Sequence, residues 1–553
     1  MYAYRFRAPG GTPGQGGSSP PEHRSSIERG MLVERDLEVP MRDGTRIFVD
    51  VFRPADQASV VPPLIAWAPY GKHSPTKYEF FPGCGVATSD ICPYAVFEGP
   101  EPSYWVPRGY AVVHVDPRGT WYSPGRATFL SPEEAQDFYD LIEWAGIQPW
   151  SNGKVGLTGV SYLAIAQWRV AALQPPHLAA INPWEGWTDT YREVARHGGI
   201  PETWFWPFIQ QFLAFSITEV EDLLAETREH PWYDDLWDSK AAHPEKIIVP
   251  AFVVASWTDQ GMHLRGTIEG FRRLSSAEKW LDVHGRKKWA YYYAPENKAR
   301  LAAFFDHFLK GLPTQVTDWP RVRVEVRDRH SAGHLASAGG WPLPGTELRT
   351  LYLDAAGGAL LDRPAGPGAI RYHSLGSGPG PHRAIFQYTF REPSDVVGSM
   401  KARLFMSSDR SSDMDVFIAI WKLDADGNPV YFPHYQMHDD GPVALGWLRA
   451  SHRELDVAAS SQARPVLAHR REIPVTPGEV TELNIEIWPS GTHFGPGEKL
   501  LLIVQGTDVN KYPDGVLYAR HQDSVNRGFH TVHTGGDHGS CLVIPVMPAT
   551  SSP

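Results

Sequence analysis

The sequence predicts an α/β domain built on a parallel sheet, interrupted by a helical insertion and followed by an all-β sandwich. Three observations support this prediction. Continuous apolar runs alternate with helical patterns over residues 31–311, as in sheets buried on both faces. Residues 184–243 are helical, rich in tryptophan, and lie between two predicted strands. From about residue 322, apolar residues alternate in short runs split by turns, which is typical of a sandwich.

The 553-residue chain is too long for one hydrophobic core, because domains typically hold about 100–200 residues. Residues 1–30 are rich in Gly, Pro and Ser, which predicts a flexible N-terminal arm that is mobile or loosely docked. The predicted segments are the arm 1–30, the α/β domain 31–183 and 244–318, the insertion 184–243, and the sandwich 319–553.

The α/β domain opens with a hairpin, indicated by period-two alternation around Arg42-Asp43-Gly44. A helix over 131–145 has Ser131 as N-cap, Pro132 at its first position and Glu134 to complete a capping box. Residues 299–311 predict the last helix, which ends at a glycine. Buried strands are predicted at PPLIAWAP (62–69), YAVVHVD (110–116), KVGLTGVS (154–161), IIVPAFVVAS (247–256) and KWLDVHG (279–285).

Composition excludes several classes of function. A formal net charge of −11 argues against a nucleic-acid partner, which needs a basic face. The sequence contains no apolar run near the ~20 residues of a membrane span and no N-terminal secretory signal, so a cytoplasmic location is expected. Cys84, Cys92 and Cys541 are too few for a disulfide scaffold. A Cys84–Cys92 bridge stays open, although reduced thiols are favoured.

One hydroxyl lies at a bend between a buried strand and a helix, in GKVGLTGVSYLAIAQW (153–168). Ser161 at such an elbow would expose its Oγ while a helix N-terminus faces the developing charge. Gly159 is the small residue that this turn needs, but Leu163 stands where G-x-S-x-G has its second glycine, and Ala164 follows. The alternative is a serine at an ordinary strand-to-helix turn.

A serine nucleophile needs a histidine base and an orienting acid, in the order Ser, acid, His on this type of sheet. Asp259 and His284 each follow a predicted strand in that order. His263 competes for the role of base, but it lies about one helical turn after Asp259, where the next helix is expected. Asp306 and His307 fall within an amphipathic helix and are expected to be structural. Asp259 as a helix N-cap and His284 as a turn residue remain alternatives.

The oxyanion of acyl transfer needs two donors. The backbone N–H of Tyr162 is the natural first donor, since it follows the serine. Tyr70, in the loop PYGK (69–72) after an early strand, could supply a hydroxyl as the second. From the residues alone, a packed loop tyrosine is the better explanation of Tyr70.

Several motifs, in order, resemble one family of serine hydrolases, which includes cocaine esterase, α-amino-acid ester hydrolases and X-Pro dipeptidyl peptidases. They cover nearly the whole chain beyond the arm. In the first domain they are MRDGTRIFVDVFRP, PYGK, YAVVHVDPRGT, GVSYLA, HPWYDDLWD, VPAFVVASWTD and FFDHFLKG. In the β region they are SSDMDVFIAIWKLDADG, GWLRASHRELD and PGEKLLLIVQG. The resemblance implies an α/β-hydrolase domain with a helical cap and a jelly-roll-like sandwich.

The resemblance also implies site residues: Ser161 as nucleophile, Asp259 as orienting acid, His284 as general base, and Tyr70 and Tyr162 as oxyanion donors. The chain departs from the family pattern at two places. Ala164 replaces the usual elbow glycine, and VHGRKKW stands where many members carry a histidine at the end of G-P-W-x-H.

The expected function is hydrolysis of small-molecule esters through an acyl-enzyme on Ser161, without metal or organic cofactor. A peptidase or amidase is the alternative within the enzyme class, and its recognition of an amine would need a pocket carboxylate. A ligand- or carbohydrate-binding protein with an inactive hydrolase domain is the alternative of another class. Neither nucleic acid nor membrane is an expected partner, and the oligomeric state, homo-oligomer included, stays open. Carboxylates available in the insertion are Glu185, Asp189, Glu202, Asp234 and Asp235.

Two further groups of residues have a simpler explanation. The insertion's tryptophans could line an acyl pocket, but most are expected to form the insertion's own core. His530, His533 and His538 match no common zinc spacing, and a polar surface loop is expected there.

Overall fold

A computed structural model describes residues 2–56, 58–87, 89, 91–213, 215–377, 380–513 and 516–547. The first part of the chain contains β1 (Phe6–Arg7), β2 (Arg24–Glu28), β3 (Met31–Pro40), β4 (Arg46–Pro54), β5 (Pro63–Trp67), α1 (Thr76–Phe80), α2 (Pro102–Trp105), β6 (Ala111–Asp116), α3 (Pro132–Gly146), β7 (Val155–Val160), α4 (Tyr162–Ala171) and β8 (Leu178–Trp184). The insertion contains β9 (Arg196–His197), β10 (Ile200–Pro201), α5 (Phe205–Phe212), β11 (Val220–Glu221), α6 (Leu223–Glu229) and α7 (Asp235–Ser239). Then follow β12 (Ala251–Ser256), α8 (Leu264–Arg273), β13 (Lys279–His284), α9 (Lys288–Tyr293), α10 (Pro295–Lys310), β14 (Val322–Arg329) and β15 (Ala332–Ala338).

A mixed sheet organises this half of the molecule. Its strand order is β2-β3-β4-β6-β5-β7-β8-β12-β13-β14-β15. The strands from β6 to β14 in this order are mutually parallel. The carboxyl ends of β7, β12 and β13 therefore meet at one edge, which is where sheets of this kind carry their sites.

The predicted strands and helices of the α/β half are present, and the structure adds elements that the sequence does not predict, among them β8, α1, α2 and α9. Strand β8 was missed because its sequence, LAAINPW, is interrupted by Asn182 and Pro183. The sheet also runs past the predicted boundary at residue 318, since β14 pairs in parallel with β13. In α3, the backbone N–H of Glu134 donates to Ser131 Oγ at 3.0 Å, an N-cap bond worth about 1 kcal/mol. The Glu134 carboxylate accepts the N–H of Leu130, one residue before the cap.

The N-terminal arm is docked through backbone pairing, which holds it more firmly than the mobile or loosely docked arm that its composition predicts. Strand β1 pairs with β11 of the insertion, and β2 pairs with β3 at the edge of the main sheet. Backbone pairing of this kind satisfies donors and acceptors that a free arm would leave to water. The insertion itself mixes helices α5–α7 with three two-residue strands and a π-helical turn at Tyr191–Ala195.

The C-terminal part is rich in β-strands, as predicted from the alternating runs. Its strands are β16 (Glu347–Asp354), β17 (Ala359–Leu361), β18 (Gly368–His373), β19 (Arg383–Thr389), β20 (Ser394–Ser408), β21 (Asp415–Leu423), β22 (Pro429–Val430), β23 (Phe432–His434), β24 (His438–Gly441), β25 (Ala444–Arg449), β26 (Thr481–Phe494), β27 (Lys499–Gln505), β28 (Phe529–Thr534) and β29 (Cys541–Met547).

Two antiparallel sets of strands share one apolar core. Strand β20 pairs with β26, β28 and β29, while β27 pairs with β19 and β21. Buried side chains from both sets form this core, among them Leu404, Ile418 and Leu502. His530 and His533 lie on strand β28, and His530 is buried, which differs from the expected surface loop.

Among the described residues, all three cysteines are free and buried. Within the same ranges, the helices are all too short or too polar to cross a lipid bilayer.

Candidate functional site

Ser161 occupies a strained turn between β7 and α4. Its backbone angles are φ 59° and ψ −118°, a region that costs a non-glycine residue of order 1–3 kcal/mol. Gly159 has φ 147°, and a Cβ there would lie 2.4 Å from Leu163 Cδ2. Ala164 packs so closely on Gly186 that a Cβ at Gly186 would meet it at 2.6 Å. Small residues therefore let the strand, the helix and the next loop approach around the serine.

Ser161 meets a histidine and a carboxylate that lie one helical turn apart. Its Oγ is 3.1 Å from Nε2 of His263, and Nδ1 of His263 makes a short hydrogen bond to Asp259 Oδ2. Asp259 follows β12, and His263 directly precedes α8. Both side chains are fully buried. Because Nδ1 donates to the carboxylate, Nε2 is free to accept the serine proton.

Asp259 is held as an anion by its other contacts. Nε2 of Gln436, from the β-rich part, donates to its Oδ1 at 2.7 Å. The ammonium of Lys288 lies 3.5 Å from its Oδ2. Burial alone would raise the pKa of Asp259, but the charges of Lys288 and His263 outweigh burial and lower it to about 2. Burial, together with Lys288, lowers the pKa of His263 to about 4. The imidazole is therefore neutral and able to accept a proton near pH 7.

The prediction that paired His284 with Ser161 is wrong. His284 ends β13, and both of its ring nitrogens are occupied by other groups. Nε2 lies 3.0 Å from Glu185 Oε1, and Nδ1 accepts the backbone N–H of Arg286 at 3.2 Å. Its ring stacks on Tyr291 with 3.8 Å between centroids.

The sequence predicts that His263 lies inside the helix that follows Asp259. The helix begins one residue later, at Leu264, so His263 is its N-cap and not an interior residue. Trp187, from the insertion, stacks on the imidazole with 5.2 Å between centroids. A carboxylate followed four residues later by a histidine, directly after a buried strand, is the signal that could have identified it.

Tyr70 and Tyr162 both lie at the serine. The Tyr70 hydroxyl is close enough to Ser161 and to the Tyr162 backbone N–H for both contacts to lower its pKa, although burial keeps that pKa well above the usual value. Tyr70 is therefore a protonated donor at neutral pH. The side chain of Tyr162 points elsewhere, because its hydroxyl donates to Glu134 at 2.8 Å.

A pocket that is open to solvent lies beside Ser161. Glu98 contributes a carboxyl group to this pocket, and no motif in the sequence predicts it. Its Oε1 accepts the indole N–H of Trp289 at 2.7 Å, whereas its Oε2 has no hydrogen-bond partner among the described residues. Burial raises the pKa of Glu98 to about 7. The pocket's apolar lining is Phe80, Phe97, Phe205, Phe208, Ile209, Met262, Trp289 and Leu517.

Three carboxylates of the insertion have structural partners. Glu202 accepts the backbone N–H groups at the start of α5, Asp189 pairs with Arg192 at 2.6 Å, and Asp234 caps α7. The insertion contributes phenylalanines to the pocket lining, and its tryptophans lie elsewhere.

One group of described side chains, Asp36, Asp50 and His73, brings metal-type ligand atoms together. The ammonium of Lys72 already pairs with both of these carboxylates, at 2.9 Å from Asp50. The group is an internal ion-pair network.

Two family profiles match successive parts of the chain. The X-Pro dipeptidyl-peptidase (S15 family) profile matches residues 43–286, and the X-Pro dipeptidyl-peptidase C-terminal non-catalytic domain profile matches residues 314–543. Cocaine esterase from Rhodococcus sp. (strain MB1 Bresler) is 25% identical over 619 residues, covering 94% of this chain and 100% of the relative.

Two solved structures also resemble this chain over nearly its whole length. A crystal structure of a CocE/NonD family hydrolase from Staphylococcus aureus is 40% identical, covers 94% of each chain and superposes with a TM-score of 0.90. An α-amino acid ester hydrolase, 18% identical, covers 96% of this chain and 98% of its own with a TM-score of 0.71, and shares the fold.

Proposed function

Since this chain belongs to the CocE/NonD family of hydrolases and is a serine hydrolase, we propose that it cleaves carboxylic esters through an acyl-enzyme on Ser161. The 3.1 Å contact between Ser161 Oγ and His263 Nε2 carries this proposal. A serine hydroxyl becomes a nucleophile when a neutral imidazole can take its proton at this distance.

The reaction proceeds in two steps. Ser161 Oγ attacks the ester carbonyl while His263 Nε2 accepts the proton, and the carbon–oxygen bond to the leaving alcohol breaks as His263 returns that proton to it. Water, deprotonated by the same nitrogen, then hydrolyses the acyl-enzyme and releases the acid. Asp259 fixes the tautomer of His263 and stabilises the imidazolium formed in each step.

Tyr70 and Tyr162 stabilise the tetrahedral oxyanion in this proposal. The hydroxyl of Tyr70 and the backbone N–H of Tyr162 converge beside Ser161, and the N-terminus of α4 adds its dipole. Loss of one such donor typically slows an enzyme about 10²–10³-fold.

The pocket favours an ester with a bulky apolar or aromatic acyl group. Aromatic side chains dominate its lining, with Phe80, Phe97 and Trp289 from the α/β half and Phe205 and Phe208 from the insertion. Burial of a ring among such side chains contributes about 25 cal/mol per Å² of apolar area.

We further propose that the insertion acts as a cap over the site and that the β-rich part is a jelly-roll sandwich. Residues of α5 line the pocket beside Ser161. The β-rich part reaches the same site through Gln436 and Leu517.

Dipeptidyl-peptidase or other amidase activity is the second candidate. The matching profiles carry the name X-Pro dipeptidyl-peptidase, and the buried carboxyl of Glu98 lies beside the serine with no hydrogen bond to its Oε2 from the described residues. An ammonium group of a peptide substrate would pair with that oxygen.

A panel of p-nitrophenyl esters, with acyl groups from acetyl to benzoyl, measured beside aminoacyl-p-nitroanilides tests the proposal. We expect kcat/KM to be highest for bulky acyl esters, and Ser161→Ala to abolish both turnover and fluorophosphonate labelling. Tyr70→Phe should lower kcat about 10²–10³-fold while KM changes little.

Preference for the anilides would replace the ester proposal with the amidase one. Failure of the wild-type protein to be labelled at Ser161 would instead support a binding protein.

A further inference from the structure

We propose that Lys288 is a positioning residue that keeps His263 in its neutral, proton-accepting form, an inference that rests on the proposed function. Lys288 is the first residue of α9 and is almost completely buried. It lies in the stretch VHGRKKW (283–289), which begins with the last two residues of strand β13.

The ammonium of Lys288 contacts both partners of the serine's hydrogen-bond chain. Its Nζ is 3.5 Å from Asp259 Oδ2 and 3.4 Å from His263 Nδ1. Since Nδ1 already donates its proton to Asp259, the ammonium cannot donate to it. The second contact is therefore an electrostatic one, and it becomes repulsive when His263 is protonated.

Two further carboxyl groups face Lys288, one on Glu98 from the loop before α2 and one on Glu185 from the end of β8. Burial favours the neutral amine, but Asp259, Glu98 and Glu185 outweigh burial and raise the pKa of Lys288. The lysine is therefore a cation at every pH at which the enzyme would work.

The other titratable groups around this cluster are neutral. Burial raises the pKa of Tyr70 well above its usual value. Burial lowers the pKa of His434, which faces Asp259, to about 4. His284 shares Glu185 and has its pKa lowered to about 3 by burial. Among the described titratable groups that face Asp259 and His263, Lys288 is therefore the one that carries a positive charge.

The direction of the effect follows from the sign of the charge. A cation beside His263 disfavours the imidazolium, and a cation beside Asp259 favours the carboxylate. Both effects delay protonation of the pair as pH falls. Removal of the charge should let the pair take up a proton at higher pH, because one neighbouring charge shifts a pKa by about 1–3 units.

The test is the pH dependence of kcat/KM for wild type, Lys288→Met and Lys288→Arg. We expect Lys288→Met to move the midpoint of the acidic limb upward by about 1–3 pH units. Lys288→Arg keeps the positive charge, so its midpoint should stay close to that of wild type. Lys287→Met is the matched control, because Lys287 is the adjacent lysine and pairs at 3.0 Å with Asp439 at the surface. Its acidic limb should coincide with that of wild type.

A Lys288→Met enzyme that loses activity by one factor at every pH, with its midpoint unmoved, would overturn the proposal and leave Lys288 a structural residue. If the methionine variant does not fold, Lys288→Gln provides the same comparison. Observation of Lys288 by ¹³C NMR in the wild-type protein is a further check: an ammonium that stays charged across the acidic limb supports the proposal, and one that loses its proton there refutes it.

These outcomes are separate from failure of the proposed function. If the wild-type protein neither turns over esters nor reacts with a fluorophosphonate, the esterase proposal fails. ¹³C NMR titration of the His263 ring in wild type and Lys288→Met then still tests the lysine, with the same upward shift expected and an unchanged titration contradicting it.

Discussion

Two buried histidine–carboxylate pairs lie at the ends of neighbouring parallel strands, and only one of them contacts the hydroxyl of Ser161. Asp259 and His263 follow β12, whereas Glu185 directly follows β8 and His284 ends β13. Both imidazoles are fully buried and both contact a carboxylate. The difference lies at the second ring nitrogen, which faces Ser161 in the first pair and a backbone N–H of Arg286 in the second.

The environment of the carboxylate separates the pairs further. Asp259 receives Gln436 on one oxygen and His263 with Lys288 on the other, so its pKa is depressed. Glu185 has one oxygen without a partner among the described residues, and burial raises its pKa well above the usual value. A histidine beside a carboxylate is thus a common buried arrangement, and only the charge on that carboxylate and the second contact of the ring make it suited to catalysis.

The largest expected difference between the pairs comes from removing each imidazole. We expect His263→Ala to lower kcat by about 10⁵–10⁶-fold, the loss seen when a serine hydrolase loses its base. His284→Ala should lower kcat less than about 10-fold, because its ring faces Glu185 and Arg286. Ester turnover with active-site titration measures both. Equal losses in the two variants would contradict the distinction.

The carboxylates should differ by a smaller but still large factor. Asp259→Asn preserves the shape of the side chain but disturbs the tautomer of His263, and we expect kcat to fall by about 10³–10⁴-fold. Glu185→Gln should retain kcat within about 3-fold, since the amide oxygen can accept the same bond from His284. The measurement is kcat at pH 8, and a Glu185→Gln enzyme as impaired as Asp259→Asn would refute this expectation.

The smallest effect is on stability. A buried carboxyl with a raised native pKa binds its proton more tightly in the native state, so the wild-type protein loses stability as pH rises above the ordinary value of ~4.3. Glu185→Gln lacks that loss. We expect its free energy of unfolding relative to wild type to improve by about 1–3 kcal/mol between pH 5 and pH 8.5, measured by urea unfolding. A difference that is constant with pH would show that Glu185 is charged in the native protein.

The sequence was sufficient for the sheet and for part of the site, because both depend on local patterns. Ser161 and Asp259 were identified as polar residues directly after buried strands, and the structure brings both to the carboxyl edge. Strand β8 could not be predicted from the sequence, because Asn182 and Pro183 interrupt its apolar run. Pairing with β7 and β12 stabilises it as a strand.

The histidine could not be chosen from strand ends alone. His263 and His284 each follow a buried strand, and their roles differ through contacts made by distant residues. Gln436, Lys288 and Glu98 reach the same site from segments far apart in the chain. Sequence spacing carries no information on contacts between such distant segments. These contacts form only when the sheet, the insertion and the β-rich part pack together.

The docked arm has a practical consequence for anyone trimming this protein. Its strand β1 pairs with β11. The guanidinium of Arg7 also donates a hydrogen bond of 2.9 Å to the backbone carbonyl of Gln210, which lies in α5. Deletion of the first thirty residues would remove these contacts from α5, whose Phe205 and Phe208 line the pocket proposed for the acyl group. The N-terminal segment is therefore a poor place for a deletion.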